Sequence, residues 1–427
     1  MDEVLKNPQI HTTLEKPLRK KEGMRVAYIM SRFPKITETF ILYEMIEQEN
    51  RGIAIELYPL LRERQSVAHP EAIAWTKRAN FHPFISLKIV QANLYFLMKN
   101  PIKYVKTFFK LMIGTAGSRK FFVGSLGIFP KSVRFAREMQ QKGVTHVHAH
   151  FCNHPATAAF IINRLTDIPY SYTAHGSDLH VDRTMLDVKT KYAAFCIAVS
   201  EFNKNIIIDE CGEWARAKIK VIHCGIDPSV FAPPAITRRD DCFRIICVAS
   251  HEEVKGHKYL IEACKSLFER GIKFRCDLIG DGPLRAENER LIKELKLEKS
   301  IIVHGLKKRL DIVQMMNQAD VKVLPSVQTA NGKKEGIPVV LMESMAMGIP
   351  VISSQLSGIP ELIENNVDGL LTRPGIVLEL VEALLNLKNN KSESTKFSEN
   401  GRRKVLESFN LQKNAAVLAD YIEQKAA

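Results

Sequence analysis

Hydrophobic positions along the chain fall into two textures. Short unbroken apolar runs include Arg25–Met30 (RVAYIM), Ile53–Leu60 (IAIELYPL), Phe243–Ser250 (FRIICVAS), Phe274–Gly280 (FRCDLIG) and Val321–Leu324 (VKVL). Runs of this length that do not alternate read as strands buried on both faces of a parallel sheet. Between them lie longer stretches with apolar residues every three or four positions, such as ETFILYEMIEQENRG and LRAENERLIKELKL. These read as amphipathic helices, and strand–helix alternation predicts βαβ units. At 427 residues the chain exceeds one ordinary core, so two such units are expected. The Pro- and charge-rich segment 231–242 reads as their linker. That gives one α/β domain over 24–230 and another over 243–409. Residues 1–23 are charged and without period, and read as a flexible arm.

One stretch carries more than fold information: VKVLPSVQTANGKKEGIPVVLMESMAMGIPVISSQLSGIPE, Val321 to Glu361. Val321–Leu324 and Pro350–Ile352 read as strands flanking a loop and a short helix, with Pro338 in its first turn and Gly348 at its end. Parallel α/β sheets bind ligands at the carboxyl ends of their strands. The loop brings Glu335 and the amides of Gly336 and Ile337 to that edge, and a helix start favours phosphate. Glu343 lies on the helix itself, where a carboxylate can accept hydrogen bonds from both ribose hydroxyls. Phosphate at the helix start and ribose on its flank imply a nucleotide.

The Glu-x7-Glu spacing of EGIPVVLME, followed by MAMGIPVISS and SGIPELIENNVDGLL, resembles the donor-site signature of retaining glycosyltransferases of family 4. LPSV, an insert, then EGIPVVLMES is most similar to the bacterial colanic acid type of exopolysaccharide enzyme. The resemblance implies the GT-B fold, an α/β architecture of two Rossmann-like doubly wound domains facing across a cleft. It implies that the C-terminal helix, within 410–427, crosses back to the first domain. It assigns Glu335 to the donor sugar's hydroxyls, Lys255 with Gly256 to the diphosphate, and His175 to the transferred sugar. FPKITETFI resembles the family's first-loop motif, making Thr37, Glu38 and Thr39 cleft candidates; a plain helix cap at Thr37 is the other reading. The GDGP turn gives Gly280 and Gly282, either letting backbone approach the donor or forming a simple turn. The chain departs from the family at Ser250, where an arginine usually completes the phosphate clamp. His251, another basic residue or backbone amides would then substitute.

The resemblance thus implies a hexosyltransferase moving sugar, with retention, from a UDP- or GDP-linked donor to a glycan or lipid-linked acceptor in cell-surface polysaccharide synthesis. No cofactor or metal is expected. Ser250 keeps open an alternative, a catalytically impaired GT-B protein that binds a nucleotide sugar or glycan; an epimerase on the same fold is a third.

Charge and composition adjust this picture in three places. The net charge is +14, and residues 72–137 hold twelve Lys and Arg but no Asp or Glu, interleaved with Phe, Tyr and Leu. Such a segment suits an anionic membrane surface, or packs as ordinary helices with solvated lysines. Nucleic acid is disfavoured, since no nucleic-acid module is present. Eight scattered cysteines, with no C-x-x-C and no visible signal peptide, suit reduced thiols in a cytoplasmic protein, peripheral on the inner membrane face. His146, His148 and His150 alternate on one strand face, which suggests a metal, but no carboxylate or Cys is expected to complete the set of ligands, and neutral imidazoles packed near the strand end are the expectation.

Overall fold

The computed structural model describes residues 23–35, 38–63, 70–233 and 241–426. The apolar runs form twelve strands: β1 (Arg25–Phe33), β2 (Ala54–Arg62), β3 (His146–His150), β4 (Tyr170–Ala174), β5 (Phe195–Ala198), β6 (Ile219–Val221), β7 (Phe243–Val248), β8 (Phe274–Ile279), β9 (Ile301–Val303), β10 (Val321–Leu324), β11 (Val351–Ser354) and β12 (Leu370–Thr372). They make two six-stranded sheets, ordered β2-β1-β3-β4-β5-β6 and β12-β11-β10-β7-β8-β9, with every pairing parallel. Helices cover both sheets, which explains why the strands read as unbroken apolar runs. The second order is that of a dinucleotide-binding sheet, and its direction reverses between β7 and β10; the first reverses between β1 and β3. These are the crevices where such sheets take ligands, and the arrangement is the expected GT-B one.

Boundaries differ from the sequence reading where hydrogen bonding overrides pattern. β1 runs on past the apolar run Arg25–Met30 through Ser31, Arg32 and Phe33, because Arg32 and Phe33 stay in register with Leu61 and Arg62. β11 begins at Val351 rather than Pro350. Proline has no N–H for the ladder, and Pro350 contributes only its carbonyl, to the Lys322 amide at 2.9 Å. The helix read over 284–297 spans only Arg285–Glu294, and Lys296 beyond it has φ 59°.

The carboxyl edges of the two sheets meet. The Glu361 carboxylate accepts from the Glu201 and Phe202 amides at 2.8 and 2.9 Å, capping the helix Glu201–Cys211 from the other unit. The helix Leu411–Ala426 packs on the helix Thr39–Asn50, with Leu418, Ala419 and Ile422 in the first sheet's core. Gln48 Nε2 donates to the Ala415 carbonyl at 2.9 Å across that contact. The basic segment folds into helices Pro70–Arg78, Leu87–Lys99, Pro101–Thr115 and Arg119–Gln141 between β2 and β3. Their inner faces, through Ala92, Phe96, Leu111 and Phe129, join the first unit's core.

Candidate active site

Lys255 closes a short turn after β7, and Glu335 sits in the loop after β10. Their side chains pair across the β7–β10 crevice, Nζ to Oε1 at 2.8 Å, both largely but not fully buried. Gly256 explains how the first turn comes so close. It has φ +70°, and a Cβ there would lie 1.9 Å from the Pro325 carbonyl oxygen, so only glycine lets this turn lie on the end of β10. The link Val327 N to Val254 O, 3.0 Å, fixes the contact.

The helix expected after the loop spans Val339–Ala346, with Pro338 at its N-cap and Gly348, at φ +69°, just past its end. Among the described residues the Gly336 and Ile337 amides have no hydrogen-bond acceptor, so both are open to an anion. Glu343 lies on the inward side of this helix. Burial raises its carboxyl to about 7, against the pull of Arg309 and Lys322. Arg309 is held between aromatic rings of both units, 4.4 Å from Tyr43 and 4.8 Å from Phe231.

Ser250 occupies the end of the β7 loop, and its hydroxyl donates to Glu252 Oε1 at 3.2 Å. The other oxygen of Glu252 pairs with Lys333 Nζ at 2.6 Å. A cation from the β10 loop therefore stands in the quarter that Ser250 leaves uncharged. His251 does not supply that charge. It is buried, tied by Nδ1 to Asn288 Nδ2 at 2.8 Å and stacked on His257 at 4.3 Å, and burial keeps its imidazole below the usual range. Gly280 and Gly282 meet the same loop: their missing side chains make room for Ala249 and His251 backbone, at 2.0 and 2.8 Å from where each Cβ would be. They let chain approach chain.

From the opposite unit, His175 follows β4 in a turn stapled by Asp178, whose Oδ1 accepts the His175 and Gly176 amides at 3.0 and 2.9 Å. Its imidazole packs between Phe40 and Phe151, and burial drives its basicity well below the usual range, so it is neutral. A Cβ on Gly336 would lie 2.4 Å from the His175 carbonyl oxygen. The two units therefore touch backbone to backbone here, aided by His180 Nδ1 and the Lys334 carbonyl at 3.1 Å. Glu335 with Gly336, Lys255 and His175 thus come together from three segments.

Glu38 takes the N-cap position of the helix Thr39–Asn50 without a capping bond from its side chain; Thr37, the cap candidate of the sequence, lies outside the described residues. The Glu38 carboxylate pairs with Lys35. Burial raises its pKa despite that partner. The histidine strand also needs a correction. A carboxylate does approach it: Glu44, about a hundred residues earlier, brings its oxygen within 4.8 Å of ring nitrogens of His148 and His150. His148 is nevertheless engaged on both sides, with Ser171 Oγ at 2.8 Å and Thr173 Oγ1 at 3.0 Å.

Sequence reasoning missed Lys322, Arg309 and Lys333. Lys322 had a signal, a cation inside the apolar run VKVL; it is fully buried and its Nζ has no hydrogen-bond partner among the described residues. Arg309 and Lys333 had none, since their partners lie far off in the chain.

Comparison with known proteins follows the same division. Residues 232–404 match the family described as Glycosyl transferases group 1, and residues 114–230 match Glycosyltransferase Family 4. The chain is similar to the amylovoran biosynthesis glycosyltransferase AmsK of Erwinia amylovora, 38% identical over 209 residues, 49% of this chain and 51% of that one. It is likewise 38% identical over 198 residues to the putative colanic acid biosynthesis glycosyltransferase WcaL of Escherichia coli, 46% of this chain and 49% of that one. The chain thus spans about half the length of these relatives. In structure it resembles Anabaena HepE in complex with UDP, TM-score 0.69 at 17% identity, over 94% of this chain and all of that one, a likeness of fold.

Proposed function

We propose that this protein is a retaining hexosyltransferase, since residues 114–230 and 232–404 match two glycosyltransferase families. It takes sugar from a UDP- or GDP-linked donor to a glycan or lipid-linked acceptor in exopolysaccharide synthesis. Residues 243–409 hold the donor and 24–230 the acceptor. The observation that carries the reading is the Lys255–Glu335 pair at 2.8 Å in the β7–β10 crevice, facing His175. A donor's diphosphate takes over the Lys255 ammonium and the Gly336 and Ile337 amides. Glu335, released from Lys255, turns to the sugar's hydroxyls. Glu343 accepts from the ribose.

Negative charge grows on the leaving diphosphate as the glycosidic bond breaks, so positive groups already in place lower the barrier most. Lys255 is one; Lys333, beside Ser250, is the second. His175, neutral, offers hydrogen bonds to the transferred sugar. The chemistry needs no metal in this reading.

Thermal denaturation against a panel of UDP- and GDP-sugars tests the donor class, since a ligand of the native state raises the melting temperature. Glu335→Gln and Lys255→Ala should each lower kcat by about a hundredfold or more while keeping the fold, a loss in the range for removing one transition-state donor. Wild-type turnover in either variant rejects the assigned roles. Product analysis separates the alternatives that Ser250 raises: sugar joined to acceptor for a transferase, none for a binding subunit, isomerised donor for an epimerase.

A further inference from the structure

Behind His175 the first unit holds a chain of polar groups that the proposed chemistry does not yet use. His175 Nε2 lies 3.0 Å from His150 Nδ1. His150 Nε2 in turn lies 3.2 Å from Glu44 Oε1, though off the line of a good hydrogen bond. The same oxygen accepts from the Tyr28 hydroxyl at 3.1 Å. Tyr28 and His150 are fully buried, and the rings of His150 and His175 stack 5.3 Å apart. The other ring nitrogen of His175, Nδ1, is in hydrogen-bond contact with Cys224 Sγ at 3.8 Å, beside a small cavity that Phe40, Glu44 and Cys224 help to line.

Protons along this chain are not independent. An unprotonated ring nitrogen 3.2 Å from a carboxylate oxygen would set two lone pairs against each other, so His150 carries its proton on Nε2. Its Nδ1 is then an acceptor, and the hydrogen bond at 3.0 Å must come from His175 Nε2–H. That leaves His175 Nδ1 as an acceptor whose only hydrogen-bond partner among the described residues is the weak Cys224 thiol donor, which a sugar hydroxyl can displace. We propose that Glu44 and His150 are positioning residues that hold His175 in this one tautomer, so that it accepts a hydrogen bond from a hydroxyl of the transferred sugar. The role at the sugar rests on the function proposed above; the tautomer does not.

The test is nitrogen-15 NMR of the full chain with labelled histidine, His175 being assigned by its loss in His175→Asn. Wild type should show His175 Nδ1 as the unprotonated nitrogen and Nε2 as the protonated one. Glu44→Gln replaces the acceptor by an amide that can donate to His150 Nε2. The alternation then reverses, and the proton of His175 should appear on Nδ1. His150→Phe keeps a ring in place and should leave the two tautomers mixed. In assays, Glu44→Gln should lower kcat by about tenfold with the donor KM within twofold, since Glu44 touches neither diphosphate nor ribose. Melting temperatures near wild type show that the variants fold. If His175 keeps the same tautomer in Glu44→Gln, or has Nδ1 protonated in wild type, the proposal is overturned. If the tautomer reverses while the wild type transfers no sugar, the relay stands and the transferase reading falls.

Discussion

Two buried charges on neighbouring strand and helix set much of the site's character. In the proposed reading Glu343, raised to about 7, accepts from the ribose hydroxyls as a carboxylate. Lowering the pH through 7 protonates it, so donor affinity should fall toward tenfold per unit of pH below that point and level off above it. Calorimetric titration with the nucleotide checks this, and Glu343→Gln should bind weakly with little such dependence. Lys322 presents the converse case. Burial lowers its ammonium from 10.5 to about 8, which amounts to about 3 kcal/mol set against the charged form. Below pH 8 both folded and unfolded chains carry the proton, and the folded state bears the whole penalty. Between pH 8 and 10.5 the folded state sheds its proton first, and the penalty recedes. Lys322→Met should therefore stabilise the protein by up to about 3 kcal/mol at pH 7, with the gain vanishing above pH 10, as read by denaturant melts. The same change removes a cation that helps ionise Glu343, so nucleotide binding at pH 7 should weaken as stability rises. A variant that gains stability with unchanged nucleotide affinity would separate the two groups.

At the level of elements, the strands were legible because sheets covered on both faces write themselves as unbroken apolar runs. The Glu335–Glu343 unit was legible because loop, helix and following strand are contiguous in sequence. What stayed hidden is what tertiary contact assembles. His175, His150 and Glu44 come from a turn, a strand and a helix, and alternation on β3 alone drew attention to three histidines rather than to the one that meets His175. Ser250 was visible as a departure, whereas Lys333 became visible only once Glu252 joined the two loops. Gly336 joins both kinds of information. Its motif position was readable, but the reason for a glycine lies in the other unit, where the His175 carbonyl leaves no room for a Cβ. Gly336→Ala should hold the two edges apart by the width of a methyl group. We expect faster cleavage by protease between the units and a kcat lowered by about a hundredfold, with the isolated Lys255–Glu335 crevice still binding nucleotide. Unaltered kcat would mean that this backbone contact is not part of the reacting geometry.

At the scale of the whole molecule, the surface of the basic segment stands out. No described helix is long and apolar enough to cross a membrane. Yet the segment inserted between β2 and β3 leaves large apolar side chains in water, among them Ile85, Met98 and Ile113 at 85%, 81% and 75% exposure. On Pro101–Thr115 the exposed Ile102, Val105, Phe109 and Ile113 recur at helical spacing, flanked by Lys103, Lys106 and Lys110. An apolar stripe edged with cations matches the boundary between acyl chains and anionic headgroups better than it matches water, where exposed patches of this kind mark interaction sites. We propose that the first unit rests on an anionic membrane by this face, which would bring a lipid-linked acceptor to the cleft. Each lysine near such a surface contributes about 1 kcal/mol, and salt screens it. Flotation with liposomes should therefore depend on anionic lipid and weaken from 50 to 500 mM salt. Met98→Asp with Ile113→Asp should abolish it while leaving the melting temperature and turnover of a water-soluble acceptor unchanged. Flotation that ignores both lipid charge and ionic strength, or survives the double substitution, rejects this face as the docking surface.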